Sequence, residues 1–187
     1  MNCITINQLN LMSRMNTLWE QHVFWTRLLI ISILNDLENL EETQNRLLKN
    51  PIDLGILFGR FYGPNVQNLI TELLTEHLVV GAQLINAYKN NITEDITRLN
   101  SQWYENADKM AKAFASINPH YNENELKIML HNHLDLTKKE VALNLEGKFA
   151  EDIENFNMIE AQALEMAQYF SMGIVKQFAR MFTCYLY

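Results

Sequence analysis

His22, His77 and His133 recur at intervals of 55 and 56 residues, each with an apolar residue four positions before it and three after it: Leu18 and Trp25, Leu73 and Val80, Met129 and Leu136. This 4-3 spacing sets each imidazole in the apolar stripe of an amphipathic helix. Imidazoles from several helices, brought to one level of a bundle with a carboxylate for charge, suit a divalent metal such as Zn, Fe or Mn. An ion with an open position could activate water or bind oxygen. The other reading is a non-enzymatic structural or interaction protein, in which imidazoles and amides form a buried network that only sets helix register. Either way the rings need partners, because an unsatisfied buried polar group costs about 1–3 kcal/mol.

Residue counts indicate those partners. In an antiparallel hairpin both helices rise about 1.5 Å per residue, so positions equidistant from the turn share a height. A turn near Asn91 levels His77 with Asn106, and a turn near Gly147 levels His133 with Ala161, between Glu160 and Gln162. A 56-residue shift independently maps Asn106 onto Gln162, and it also superposes Leu74 on Leu130, Leu78 on Leu134, Ala107 on Ala163, Met110 on Met166, Ala111 on Ala167 and Phe114 on Phe170. Such self-similarity points to two related helical hairpins, with His22 in a third, degenerate copy. The expected layer is His22, His77, Asn106, His133 and Gln162, with Glu160 or Asp108 supplying a carboxylate to the metal.

Other chemistry is less well supported. No Glu-x-x-His pair occurs, so the di-iron pattern with both ligands on one helix face is absent. Glu20 and Glu76 stand two positions and one position before their histidines, about 200° and 100° around a helix, and are expected on the surface. His120 and His131 are likewise expected to face solvent. Trp19, Trp25 and Trp103, with Phe24 and Tyr104, fit a bundle core. The chain has no glycine-rich phosphate loop, hence no nucleotide site, and no cysteine near a histidine.

The elements that must carry the layer follow from composition and punctuation. With 187 residues, 48% of them apolar, and only 6 Gly and 3 Pro, the chain reads as one all-α domain over 1–187, an up-and-down bundle of about five long helices plus a short one. The periodicity predicts helices over 7–35, 40–49 and 65–89, with a compact helical turn over 51–61. Thr93 is the expected N-cap of the next helix, which Asn118-Pro119 ends. Asn122 with Glu125 opens another in a capping-box pattern, Gly147 closes it, and the last runs over 149–181.

A net charge of −7 offers no basic field for nucleic acid. The polar start over 1–14 lacks the order of a signal peptide, and an apolar run such as 28–31 is far below a membrane span. Cys3 and Cys184 are expected as free thiols in the cytoplasm. Phe178, Met181, Phe182 and Tyr185 form an apolar group that points to a possible homodimer.

The segments Leu18-Trp19-Glu20-Gln21-His22-Val23-Phe24-Trp25-Thr26-Arg27, Phe61-Tyr62-Gly63, Glu76-His77-Leu78, Trp103-Tyr104-Glu105-Asn106-Ala107-Asp108 and His133-Leu134-Asp135-Leu136-Thr137 carry a resemblance over nearly the whole chain. With them the chain resembles a family of small uncharacterised bacterial proteins from Gram-positive spore formers. The resemblance implies a helical bundle of unassigned activity, and it marks His22, His77, Asn106, Asp108, His133 and Glu160 as candidate positions. Some relatives carry the label acetylglutamate kinase, which needs an α/β sheet and phosphate loops that this sequence does not offer. Arg60 stands where relatives have proline, and His120 where they have an aromatic residue.

Overall fold

The computed structural model describes residues 4–183. Cys3, Cys184 and Tyr185 lie outside the described residues. The described chain is helical throughout: α1 (Ile6–Leu34), α2 (Leu40–Leu47), α3 (Lys49–Tyr62), α4 (Pro64–Lys89), α5 (Thr93–Ile117), α6 (Glu123–Leu145), α7 (Phe149–Gln177) and a 3-10 turn over Ala179–Phe182.

Local chemistry accounts for most of the boundaries. Asp36, Asn91 and Gly147 each adopt positive φ just past a helix end. Each end closes with paired bonds, such as Lys148 N–H to Leu143 O and Gly147 N–H to Asn144 O after α6, or Ile92 N–H to Ala87 O and Asn91 N–H to Tyr88 O after α4. These Schellman closures satisfy carbonyls that the helix leaves open, and Asp, Asn and Gly tolerate the left-handed conformation they require. Between α3 and α4, Gly63 supplies a φ of 87° and Pro64 starts the next helix. Asn118, before Pro119, is extended and ends α5.

Four expectations change. Residues 49–62 form a full 14-residue helix rather than a compact turn, because Pro51 falls in its first turn, where its missing N–H costs nothing. Thr93 is already helical, and Ile92 precedes it with no side-chain cap. Asn122 does cap α6 by accepting from the Asn124 and Glu125 amides, but the Glu125 carboxylate accepts from the Tyr169 hydroxyl instead of closing the box. Finally, α7 ends at Gln177 and the chain turns back, so that Phe178 packs on Phe61 and Tyr62 and Phe182 packs on Phe61. Of the apolar group expected to face a second copy, Phe182 is thus buried and Phe178 half-buried, while Met181 is exposed.

The repeat is threefold. α4 pairs with α5 and α6 with α7, while α1 pairs with the broken arm α2–α3. The second arm of each pair also packs on the first helix of the next: α3 on α4, α5 on α6, and α7 back on α1. The 56-residue shift that relates the last two copies carries α3 onto α5: Asn50 onto Asn106, Leu54 onto Met110, Gly55 onto Ala111 and Phe58 onto Phe114. Phe58, Phe114 and Phe170 are nearly fully buried and form a closed triangle with centroid separations of 5.1, 4.5 and 5.7 Å. Alternation of first and second arms thus closes a ring of hairpins around one core.

At Gly55 this symmetry is locally tightened. A Cβ there would lie 2.0 Å from Thr71 Oγ1 and 2.8 Å from the Gln67 carbonyl oxygen, so α3 approaches α4 closely enough to exclude even alanine. Gly55→Ala is expected to destabilise the protein by about 1–3 kcal/mol through overpacking, despite alanine's higher helix propensity. Gly59→Ala meets Gln67 Oε1 at 2.7 Å, which can rotate away, and Gln67 Cβ at 2.8 Å, which moves only with α4, so it too should destabilise, and thermal unfolding should rank wild type above Gly59→Ala above Gly55→Ala, whose contacts include a backbone carbonyl.

Candidate metal centre

α1, α4 and α6, the first arms of the three hairpins, touch one another at the centre of the ring. Each delivers one histidine there: His22, His77 and His133 are 2%, 4% and 4% exposed. Their ring centroids lie 6.1, 5.8 and 6.4 Å apart, a nearly equilateral triangle. One nitrogen from each ring falls within 4.8 Å of the others. The predicted convergence is therefore present. The inward stripe is turned slightly from the expected one: positions three before and one after each histidine (Trp19 and Val23, Leu74 and Leu78, Leu130 and Leu134) are buried, whereas Leu73, Val80, Met129 and Leu136 are half-buried.

The second arms orient the rings. Asn50 Oδ1 lies 3.1 Å from His22 Nδ1, and Asn50 Nδ2 donates to the Leu18 carbonyl. Gln162 Oε1 lies 3.2 Å from His133 Nδ1, and its Nε2 donates to the Met129 carbonyl. Asn106 Nδ2 donates to the Leu73 carbonyl and to Glu76 Oε2. In all three copies the amide nitrogen thus reaches the carbonyl four residues before its histidine. A backbone carbonyl can only accept, so Asn50 and Gln162 must present their oxygens to the rings, and Nδ1 of His22 and of His133 must carry the proton. In the middle copy the ring bond is not made: His77 Nδ1 and Asn106 Oδ1 are both buried without a hydrogen-bond partner, although the nearby Asn106 still favours the protonated ring. The tautomer fixed in this way leaves Nε2 of His22 and of His133 with a free lone pair, the arrangement that supporting groups impose on metal-bound histidine.

The backbone under the rings is also held. Thr26 and Thr137, four residues after their histidines, donate to the His22 and His133 carbonyls. In the middle copy that position is Gly81, and the Trp103 indole takes its place, stacking on His77 and donating to the His77 carbonyl at 2.9 Å.

Of the expected site residues, the structure brings together His22, His77 and His133, with Asn106 and Gln162 behind them. The proposed carboxylates are elsewhere. Glu160 is exposed, and Asp108 is bonded to His131 at 2.9 Å, with Lys127 at 3.7 Å. Both share the height of the layer but stand two residues from an inward amide, about 200° around the helix. His131 is accordingly half-buried against Tyr104, while His120 is exposed as expected. Glu76 is more than a surface charge, since it braces Asn106. Asn50 was missed, although a signal existed: each histidine is followed after 28 or 29 residues by an amide side chain.

A second buried polar centre also escaped the sequence reading. Arg27 of α1 donates to Glu140 of α6 at 2.5 Å and to Asp152 of α7 at 2.6 Å, and both acids are almost completely buried. Burial, followed by the Asp152 charge, raises Glu140 to about 7 against the pull of Arg27.

Burial pushes His22 down to about 4 and His133 to about 3, and it holds His77 well below its usual value with help from the two neighbouring rings. The native rings therefore stay neutral where an unfolded chain, titrating near 6.5, takes up protons. Their contribution is complete above pH 6.5 and is lost as pH falls toward 4. Glu140 works in the opposite sense, because its native proton is bound more tightly and its contribution fades as pH rises through about 7. From pH 6.5 to 5 the three rings together lose about 5 kcal/mol and Glu140 returns about 2 kcal/mol. The metal-free protein should thus lose about 3 kcal/mol over that interval, measurable by urea unfolding at the two pH values.

No protein-family profile, curated protein or solved structure matches the chain. Among the described residues, no helix is long and apolar enough to cross a membrane.

Proposed function

We propose that the protein binds one divalent metal ion through Nε2 of His22, His77 and His133. The observation that carries this reading is the convergence of three buried imidazole nitrogens within 4.8 Å of one another, with an amide oxygen accepting from Nδ1–H of His22 and of His133 so that their Nε2 lone pairs are free. A hydrogen-bond network that served register alone would not need ring nitrogens from three helices within 4.8 Å of one another. An all-imidazole set suits zinc or iron better than manganese, which favours oxygen ligands. Three protein ligands with a fourth position open is the pattern of reactive rather than structural zinc sites. Asp108 and Glu160 take no part, so charge compensation falls to the fourth ligand.

The nitrogens, up to 4.8 Å apart, must close to about 3.4 Å around a tetrahedral ion with bonds near 2.1 Å. That separation favours the second reading, a layer that only sets register. Metal analysis of protein purified without an affinity tag separates the two: about one ion per chain supports a metal site, and a folded protein that takes up neither zinc nor ferrous iron overturns it. Asn50→Leu and Gln162→Leu should each weaken metal affinity roughly 10- to 100-fold, because the ring they orient is freed. Competition with a chromophoric chelator measures this. The resemblance of its segments supports a separate proposal, that the chain belongs with the small proteins of spore-forming bacteria and acts in the cytoplasm.

A further inference from the structure

Two cavities meet at the histidine layer. The inner one, of about 20 Å³, is lined by all three histidines together with Thr26, Thr137 and Trp103. The outer one, of about 320 Å³, lies between α1, α2 and α4, and its polar lining is Gln44, Gln83, Asn86 and the ion pair of Lys89 with Asp36 at 2.5 Å. Leu29, Leu47, Leu78 and Ala82 line both, so a single layer of apolar side chains separates the imidazoles from a pocket that reaches the surface. Ala82 is half-exposed, and Leu47 belongs to the eight-residue α2, the shortest α-helix of the described residues.

The dimensions and chemistry of the inner cavity restrict what can enter it. Its volume is that of one or two water molecules. No carboxylate or cationic side chain lines it. The Thr26 and Thr137 hydroxyls give their protons to the His22 and His133 carbonyls, which leaves their oxygens able only to accept. We infer that the position left open by the three imidazoles takes a slender ligand, one atom wide and preferably anionic, such as hydroxide or a small rod-like anion, and that this ligand enters from the α1–α2–α4 pocket past Ala82 and Leu47. An anion offsets the charge that no protein carboxylate neutralises, and a hydroxide proton has two threonine oxygens to meet. A ring-sized or chelating ligand does not fit while the apolar layer is in place.

This inference rests on the metal reading, and cobalt distinguishes failure of one from failure of the other. Cobalt(II) is loaded into the whole protein, and its visible bands are followed during titration with azide and, separately, with imidazole. Azide should shift the bands in the wild type and imidazole should not. Ala82→Phe fills the passage from a half-exposed position; measured from its own azide-free spectrum, it should slow the azide response at least tenfold. Leu47→Ala opens the layer and should admit imidazole. A cobalt spectrum that depends on His77 but ignores azide, or that answers imidazole as readily as azide in the wild type, overturns the inference while sparing the metal site. An Ala82→Phe variant that responds at the wild-type rate overturns the proposed route. Failure of cobalt to bind at all removes both.

Discussion

His77→Ala should lower metal affinity roughly 100- to 1000-fold, since the 10–16 kcal/mol typical of a four-ligand zinc site divides to about 3–4 kcal/mol per ligand. His77 is the member to remove because its ring nitrogen has the least local support: Nδ1 lacks a full hydrogen bond, whereas His22 and His133 each hold an amide. The Trp103 indole that stacks on it at 5.3 Å would lose a neighbour, so alanine also costs packing. His77→Leu restores most of the volume and serves as the control. Both variants should lose tight metal binding in chelator competition, and the leucine variant should remain as stable as the metal-free wild type at neutral pH. It should also be more resistant to acid, because one of the three neutral rings that an unfolded chain would protonate is gone. A His77→Leu protein that still binds zinc with wild-type affinity would remove His77 from the ligand set.

The largest effect on folding should come from Arg27. Its guanidinium, 18% exposed, is the charge partner of two acids whose side chains are each 2% exposed, and it also lies over the Phe156 ring at 4.7 Å. Arg27→Met keeps the apolar stem but strands two buried carboxyl groups, and removing one partner of a buried ionic group costs about 3–5 kcal/mol. Glu140, already raised to about 7, should then titrate higher still and be protonated at neutral pH, so the variant's deficit against the wild type should narrow as pH falls through 6, although the three buried rings weaken both proteins. Arg27→Lys should also destabilise, because one ammonium cannot reproduce the two-pronged contact. Adding Glu140→Gln and Asp152→Asn to Arg27→Met should return most of the loss. Urea unfolding at pH 7 and pH 5.5 reads all of these. A loss below about 1 kcal/mol for Arg27→Met would mean that the triad is solvated rather than buried.

The sequence by itself determined that the chain is helical, that three histidines face inward, and that Asn106 and Gln162 stand level with two of them. Those properties depend on local periodicity and on the constant rise of a helix, which residue counting captures. It did not determine the direction in which each level residue points. Asp108 and Glu160 sit at the right height on the wrong side, because a two-residue step rotates a side chain by about 200° while moving it only about 3 Å along the axis.

Tertiary structure decided the rest. The break at α2 disguised the third repeat, so the role of Asn50, whose spacing from His22 is present in the sequence, became plain once α3 had folded back to the level of His22. Arg27, Glu140 and Asp152 are separated by 113 and 125 residues along the chain, and no local pattern links a cation to acids on two other helices. The passage toward the histidines likewise exists only where α1, α2 and α4 meet. Such features depend on which helix faces each face of its neighbour. That choice is made by side-chain packing around the closed ring of hairpins, where positions far apart in the chain must fit at the same time.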